Sequence, residues 1–110
     1  MNRDLTKSQR RRLRELGGVA YERDLSSELA KLESDFRRWR GGEIDAFALS
    51  EAIHAFHQGP SRQLFSKYDL SNLEFAVADA VHRGVVSKEE AGPDTMQVLE
   101  RHLAFLAAND

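Results

Sequence analysis

Cysteine is absent from the 110 residues. That excludes a disulfide framework, a thiolate metal site and a cysteine nucleophile. It fits a reducing compartment, and a cytoplasmic location is the expectation. No run of about eighteen apolar residues occurs, so no membrane span is expected. No apolar h-region follows Met1, so no signal peptide is expected either. Gly-x-Ser-x-Gly, P-loop, Gly-x-Gly-x-x-Gly and His-Glu-x-x-His patterns are all missing. Esterase-type, nucleotide-binding and zincin chemistry therefore have no motif behind them. No stretch alternates apolar and polar residues convincingly, and Val85-Val86 reads as a connector. No repeat or low-complexity tract is present.

Helix signals are dense. Thr6-Lys7-Ser8-Gln9, Ser71-Asn72-Leu73-Glu74 and Ser87-Lys88-Glu89-Glu90 each have the spacing of a capping box. From Thr6 the pattern is helical to Arg40, where Gly41-Gly42 ends it. Gly17-Gly18 interrupts that run at about 1 kcal/mol per glycine. The pattern allows one long helix, straight or bent at Gly17-Gly18, or a short helix followed by a longer one. Asp45 caps a second helix to about Gln58, with Ile44 placed to staple onto Leu49. Its apolar face is Leu49, Ala52, Ile53 and Phe56, with Phe47 and Ala48 near the start. Gly59 stops it, and Pro60 opens a short third helix carrying Leu64, Phe65 and Tyr68. A fourth helix runs to about Arg83, with Leu73, Ala76, Val77, Ala80 and Val81 inward and Gly84 as its stop. Ser87 opens a single turn. Gly92 breaks the chain, and a last helix follows from Pro93 to about Ala107, carrying Met96, Leu99, Leu103 and Leu106.

The expected fold is therefore all-α: one domain over residues 1–110, a bundle of five to six helices. The first helix is long, and an arrangement in which it projects from the rest is compatible with the pattern.

Charge is uneven. Residues 1–40 carry eleven Lys/Arg against seven Asp/Glu, and residues 41–110 carry five against eleven. Residues 1–14 form a basic segment with Arg3, Lys7, Arg10, Arg11, Arg12 and Arg14. Lys7, Arg10, Arg11 and Arg14 are candidates for contact with an anionic partner or a nucleic acid. No aromatic residue interleaves before Tyr21, so a base-stacking platform is not expected.

A second candidate is the stripe Leu25, Leu29, Leu32, Phe36, Trp39, spaced alternately by four and three. That spacing places all five on one helix face. Such a stripe is ordinarily core. Here Phe36 and Trp39 lie among Arg37, Arg38 and Arg40, a Trp–Arg mixture common at protein interfaces. Arg40 joins the five as a protein-contact candidate.

Glu51, His54, His57 and Arg62 form a third cluster, polar and on one helix. Glu-x-x-His is a spacing used by di-iron bundles, but those need two such motifs and further glutamates. The helix macrodipole gives His54 and His57 an ordinary structural place in the last turns. His82 and His102 are isolated. The spacing from Ala55 through Gly59 to Phe65 resembles a helix-turn-helix. Gln58 and Pro60 fall where packing residues belong, and the acidic charge of this half opposes docking on phosphates.

The composition and motifs thus favour a small helical protein-interaction or regulatory module, with a protein partner or self-association as a homodimer. Nucleic-acid binding through the basic first helix is the alternative. A metal-dependent or acid–base enzyme around Glu51, His54 and His57 comes third. No catalytic residue, cofactor, resident metal, small-molecule site or membrane contact is assigned.

Overall fold

A computed structural model of the chain describes residues 5–110. Arg3, part of the basic segment, lies outside them. All regular structure among the described residues is helical. In order come α1 (Lys7–Arg40), α2 (Ala46–Phe56), a π-helical stretch (His57–Ser61), α3 (Arg62–Lys67), a 3₁₀ turn (Leu70–Asn72), α4 (Leu73–His82), α5 (Lys88–Val98) and α6 (Glu100–Ala108). No helix among them is long and apolar enough to cross a membrane. The described chain clusters into two compact units. One joins the residues up to Tyr21 with Lys67–Asp110, and the other is Glu22–Ser66.

The first unit is built around α4. Six of its ten residues are buried, because Leu73, Ala76, Val77, Ala80 and Val81 make an apolar face and Ala78 is small enough to bury beside it. The start of α1 supplies Leu13, Leu16 and Ala20. It is held by the capping box that Thr6 and Gln9 form: Gln9 N–H donates to Thr6 Oγ1 at 3.0 Å, and Thr6 N–H to Gln9 Oε1 at 2.9 Å. The same Gln9 donates to Asp94 of α5 at 3.2 Å, and the Arg12 guanidinium donates to the Glu90 carbonyl. Tyr21 and Tyr68 stack with ring centres 5.3 Å apart. The α4 helix ends in a Schellman turn at Gly84, φ 79°. There Gly84 N–H reaches Val81 O at 3.0 Å and Val85 N–H reaches Ala80 O at 2.8 Å. The connector Val85-Val86 then drops Val86 fully into the core. Ser87 and Glu90 form the capping box that opens α5, and Gly92, at φ 83°, breaks that helix before Pro93. Two polar contacts with the same sequence offset tie α4 to α6 and the residues just after it: Glu74 Oε2 lies 3.1 Å from His102 Nε2, and His82 Nε2 lies 2.8 Å from Asp110 Oδ1. A constant offset means that the two helices run parallel.

Asp79 of α4 is a largely enclosed charge, its side chain 18% exposed. It accepts from Lys67 Nζ and from Arg83 Nε, the latter at 2.7 Å. Burial alone would push its carboxyl up, but the hydrogen bonds and charges of Lys67 and Arg83 outweigh that and hold it below the usual carboxylate value. A depressed folded value gives stability that is complete above the ordinary carboxylate range and is lost as pH falls through it. Asp79→Asn is therefore expected to cost roughly 1–2 kcal/mol at pH 7. It should also flatten the fall in melting temperature below about pH 4. Melting curves of both proteins from pH 7 to pH 2.5 check this; parallel curves would contradict it.

The second unit pairs α1 from Glu22 onward with α2. The turn between them follows the expected signals. Gly42, φ 79°, closes α1 in another Schellman turn: Gly42 N–H reaches Trp39 O at 3.1 Å, and Glu43 N–H reaches Arg38 O at 2.8 Å. Asp45 then caps α2 by accepting from Ala48 N–H at 2.8 Å.

Three expectations fail locally. The last helix does not run unbroken from Pro93 to Ala107, because the chain turns at Leu99 between α5 and α6. Of the versions the pattern allowed for the first helix, the single long one holds: α1 is helical through Gly17-Gly18. Packing decides this, because Gly17 lies directly under Leu73. Gly59 does not stop the second helix, and Pro60 does not start a third. Instead the chain runs on through His57–Ser61 as a π-helical stretch. Proline lacks an N–H and its ring crowds the preceding turn, and a widened turn relieves both problems without ending the helix. Finally, Ser71 does not cap α4. Its hydroxyl donates to Asp69 Oδ2 at 2.6 Å, and its N–H donates to the same oxygen at 3.1 Å. Asp69 thus caps the 3₁₀ turn in an Asx-type turn, and α4 starts from Asn72 with no side-chain cap.

Candidate functional site

The Glu22–Ser66 unit contains the two candidate sets that the sequence placed on α1 and α2, and it is short of core. Leu49 is its only buried residue. Leu29, Phe36, Trp39, Phe47, Ile53 and Phe65 are all exposed.

On α1 the five-residue stripe is split. Leu32 turns toward α2, where a groove of about 160 Å³ is lined by Leu32 with Glu28, Lys31 and Asp35 on one side and Ala52, Ala55, Phe56 and Pro60 on the other. Leu25 is half-buried. Leu29 stays 45% exposed, and Phe36, Trp39 and Arg40 are exposed as well. The stripe is wider than α2 can cover. Arg37 pairs with Glu33 at 3.4 Å, and Arg38 with Asp35 at 3.5 Å and Glu43 at 3.4 Å, all at the surface. Surface pairs of this kind stabilise little, so they orient the arginines more than they hold the fold.

A second surface runs along the outside of α2 and α3. Phe47 is 84% exposed near one end and Phe65 74% exposed near the other. Between them Glu51, His54, Gln58 and Arg62 are exposed, and Arg62 Nη1 donates to Gln58 Oε1 at 3.0 Å. Glu51, His54, His57 and Arg62 are the polar cluster expected from the sequence; the two phenylalanines that flank it are not evident there as surface. One signal was available: from Ala46 to Gln58 the chain has no lysine or arginine and a single acid. A solvated helix face ordinarily carries more charge. His57 falls inside the π-helical stretch, the class of helix defect that often accompanies functional positions. Among the described residues no group of three or more His, Asp or Glu side chains is arranged to hold a metal ion.

The basic candidates lie in the other unit. At 100° per residue, Lys7, Arg11 and Arg14 sit on the side of α1 opposite Leu13, Leu16 and Ala20, and all three are exposed. Arg10 folds back, its Nη1 donating to Leu5 O at 2.6 Å. Arg10 and Arg14 also flank a recess of about 290 Å³ floored by Leu5, Leu13, Leu70 and Leu73 and edged by Glu74. Arg10 is thus partly engaged within its own chain, which divides the four-residue cationic set.

No protein-family model, curated protein or solved structure matches the chain.

Proposed function

We propose that the chain is a helical protein-interaction module whose contact surface is the Glu22–Ser66 unit. One observation carries this reading: a 45-residue unit that buries a single side chain while exposing six large apolar ones. Exposed apolar groups scattered singly are normal, whereas several gathered on one small unit mark a surface built to be covered. Their types agree, since Trp and Arg are enriched at interface hot spots and Phe at interfaces generally. The near-absence of charge on α2 agrees too, because charge is depleted at interface centres.

A photo-reactive phenylalanine analogue tests this reading. Placed at Phe36, Phe47 or Phe65 in cells, it should form cross-links to protein. Placed at Asn109, exposed in the other unit, it should form few. Equal cross-linking at all four positions, or none at the first three, would overturn the proposal.

A further inference from the structure

The flank of α1 that α2 leaves open or covers only in part has a spacing that reads the same in both directions. Leu25, Leu29, Leu32 and Phe36 are separated by four, three and four residues; Leu29 and Phe36 are exposed, Leu25 is half-buried, and Leu32 is half-buried at the rim of the α2 groove. We infer that this flank receives the same flank of a second copy of this chain, with the two α1 helices antiparallel about a two-fold axis between residues 30 and 31. This rests on the reading of the Glu22–Ser66 unit as a contact surface and names its occupant. In that register Leu25 of one copy faces Phe36 of the second copy, and Leu29 faces Leu32. Each layer is the large-on-large apolar contact of an antiparallel helix pair. The two-fold repeats every contact, as a closed dimer requires.

Charge selects the same direction. The early part of the segment holds three acids, Glu22, Asp24 and Glu28, and one arginine, Arg23, and its last turn holds Arg37, Arg38 and Arg40 with no acid. Antiparallel pairing sets the arginine-rich end of each copy beside the acidic end of the other. Parallel pairing would bring three arginines onto three arginines. Leu29, Phe36 and Trp39, exposed in the single chain, are the groups this pairing covers.

The absence of cysteine makes the geometry directly measurable. Ala30→Cys and Arg40→Cys each alter one exposed position and give one attachment point for a spin label. Antiparallel pairing predicts that two labels at position 30 lie almost level across the helix pair. Two labels at position 40 should then lie about 28 Å apart along the axis, at roughly 1.5 Å per residue. Pulsed dipolar spectroscopy would show a short distance for the first protein and a long one for the second. Short distances at both positions mean parallel pairing and overturn the inference. No dipolar coupling at either position, with circular dichroism unchanged, means no second copy and overturns it too. In that last case the cross-linking at Phe36 separates the two ideas. Adducts with a different protein leave the contact surface standing without self-pairing, and no adducts remove both.

Discussion

Leu16→Ala and Leu29→Ala take the same side chain from the same helix, and they are expected to do different damage. Leu16 is 2% exposed, packed in the unit built on α4. Its truncation loses transfer free energy and leaves a cavity, at a cost of about 2–5 kcal/mol. Leu29 is 45% exposed. In the single chain its truncation removes little burial and improves helix propensity slightly, so folding changes by less than about 1 kcal/mol. In a self-associating chain Leu29 is used twice, once from each copy, and dimer affinity should fall by at least about tenfold. Urea denaturation at low protein concentration reads the first effect, and dissociation on dilution reads the second. Equal losses of stability for the two variants would mean that Leu29 is ordinary core.

Gly17 and Gly18 should respond oppositely to added side chains, although they are neighbours in one helix. A Cβ on Gly17 would collide with Leu73 Cδ1 and sit 3.5 Å from its Cγ. The clashing atom is the far end of the Leu73 side chain, which borders the recess beside Arg10 and Arg14 and can shift toward it. Alanine at position 17 sets a helix gain of about 1 kcal/mol against that clash. A larger side chain has no such balance: Gly17→Leu is expected to cost about 1–3 kcal/mol by overpacking. Gly18 is exposed, and nothing lies within 4 Å of a Cβ built on it. Gly18→Ala should therefore stabilise by about 0.5–1 kcal/mol, from helix propensity and a less flexible unfolded chain. Thermal melts of the two variants check the pair. A Gly17→Leu protein that melts at or above the parent would show that α1 and α4 do not approach closely.

The same glycines show where sequence reasoning reaches its limit. In sequence they signal a break. In the fold Gly17 permits a contact instead, because its lack of a Cβ lets α1 lie close against Leu73 of α4. That contact joins residues 56 positions apart, and no local pattern reports it. Pro60 misled for a related reason. Local rules offered a stop at Gly59 and a new start, while the chain kept its helix by widening one turn. The signals that succeeded were those that close locally. These were the capping boxes at Thr6 and Ser87, the Asp45 cap, and the glycine stops at Gly42 and Gly84. Ser71 failed although its pattern was as good, because Asp69, two residues earlier, competes for its hydroxyl.

The candidate surface was half legible. Periodicity found the α1 stripe, but a stripe does not say which of its members a neighbouring helix will cover. Leu32 meets α2 and Leu29 does not, and that depends on the angle at which the two helices pack. Phe47 and Phe65 were invisible as surface because an aromatic residue on an apolar-looking helix is assigned inward by default. The run from Ala46 to Gln58, without lysine or arginine, was the one sign in the sequence that this helix differs from an ordinary solvated one.

The central claim is that the exposed apolar flank of α1 is covered by a second copy. Sedimentation equilibrium across a hundredfold range of concentration tests it most directly. The account predicts a reversible shift from a 12.5 kDa species to one of twice that mass. In Phe36→Glu the shift should move to much higher concentration, with the helical circular-dichroism signal retained. A single 12.5 kDa species at every concentration, in both proteins, would contradict it.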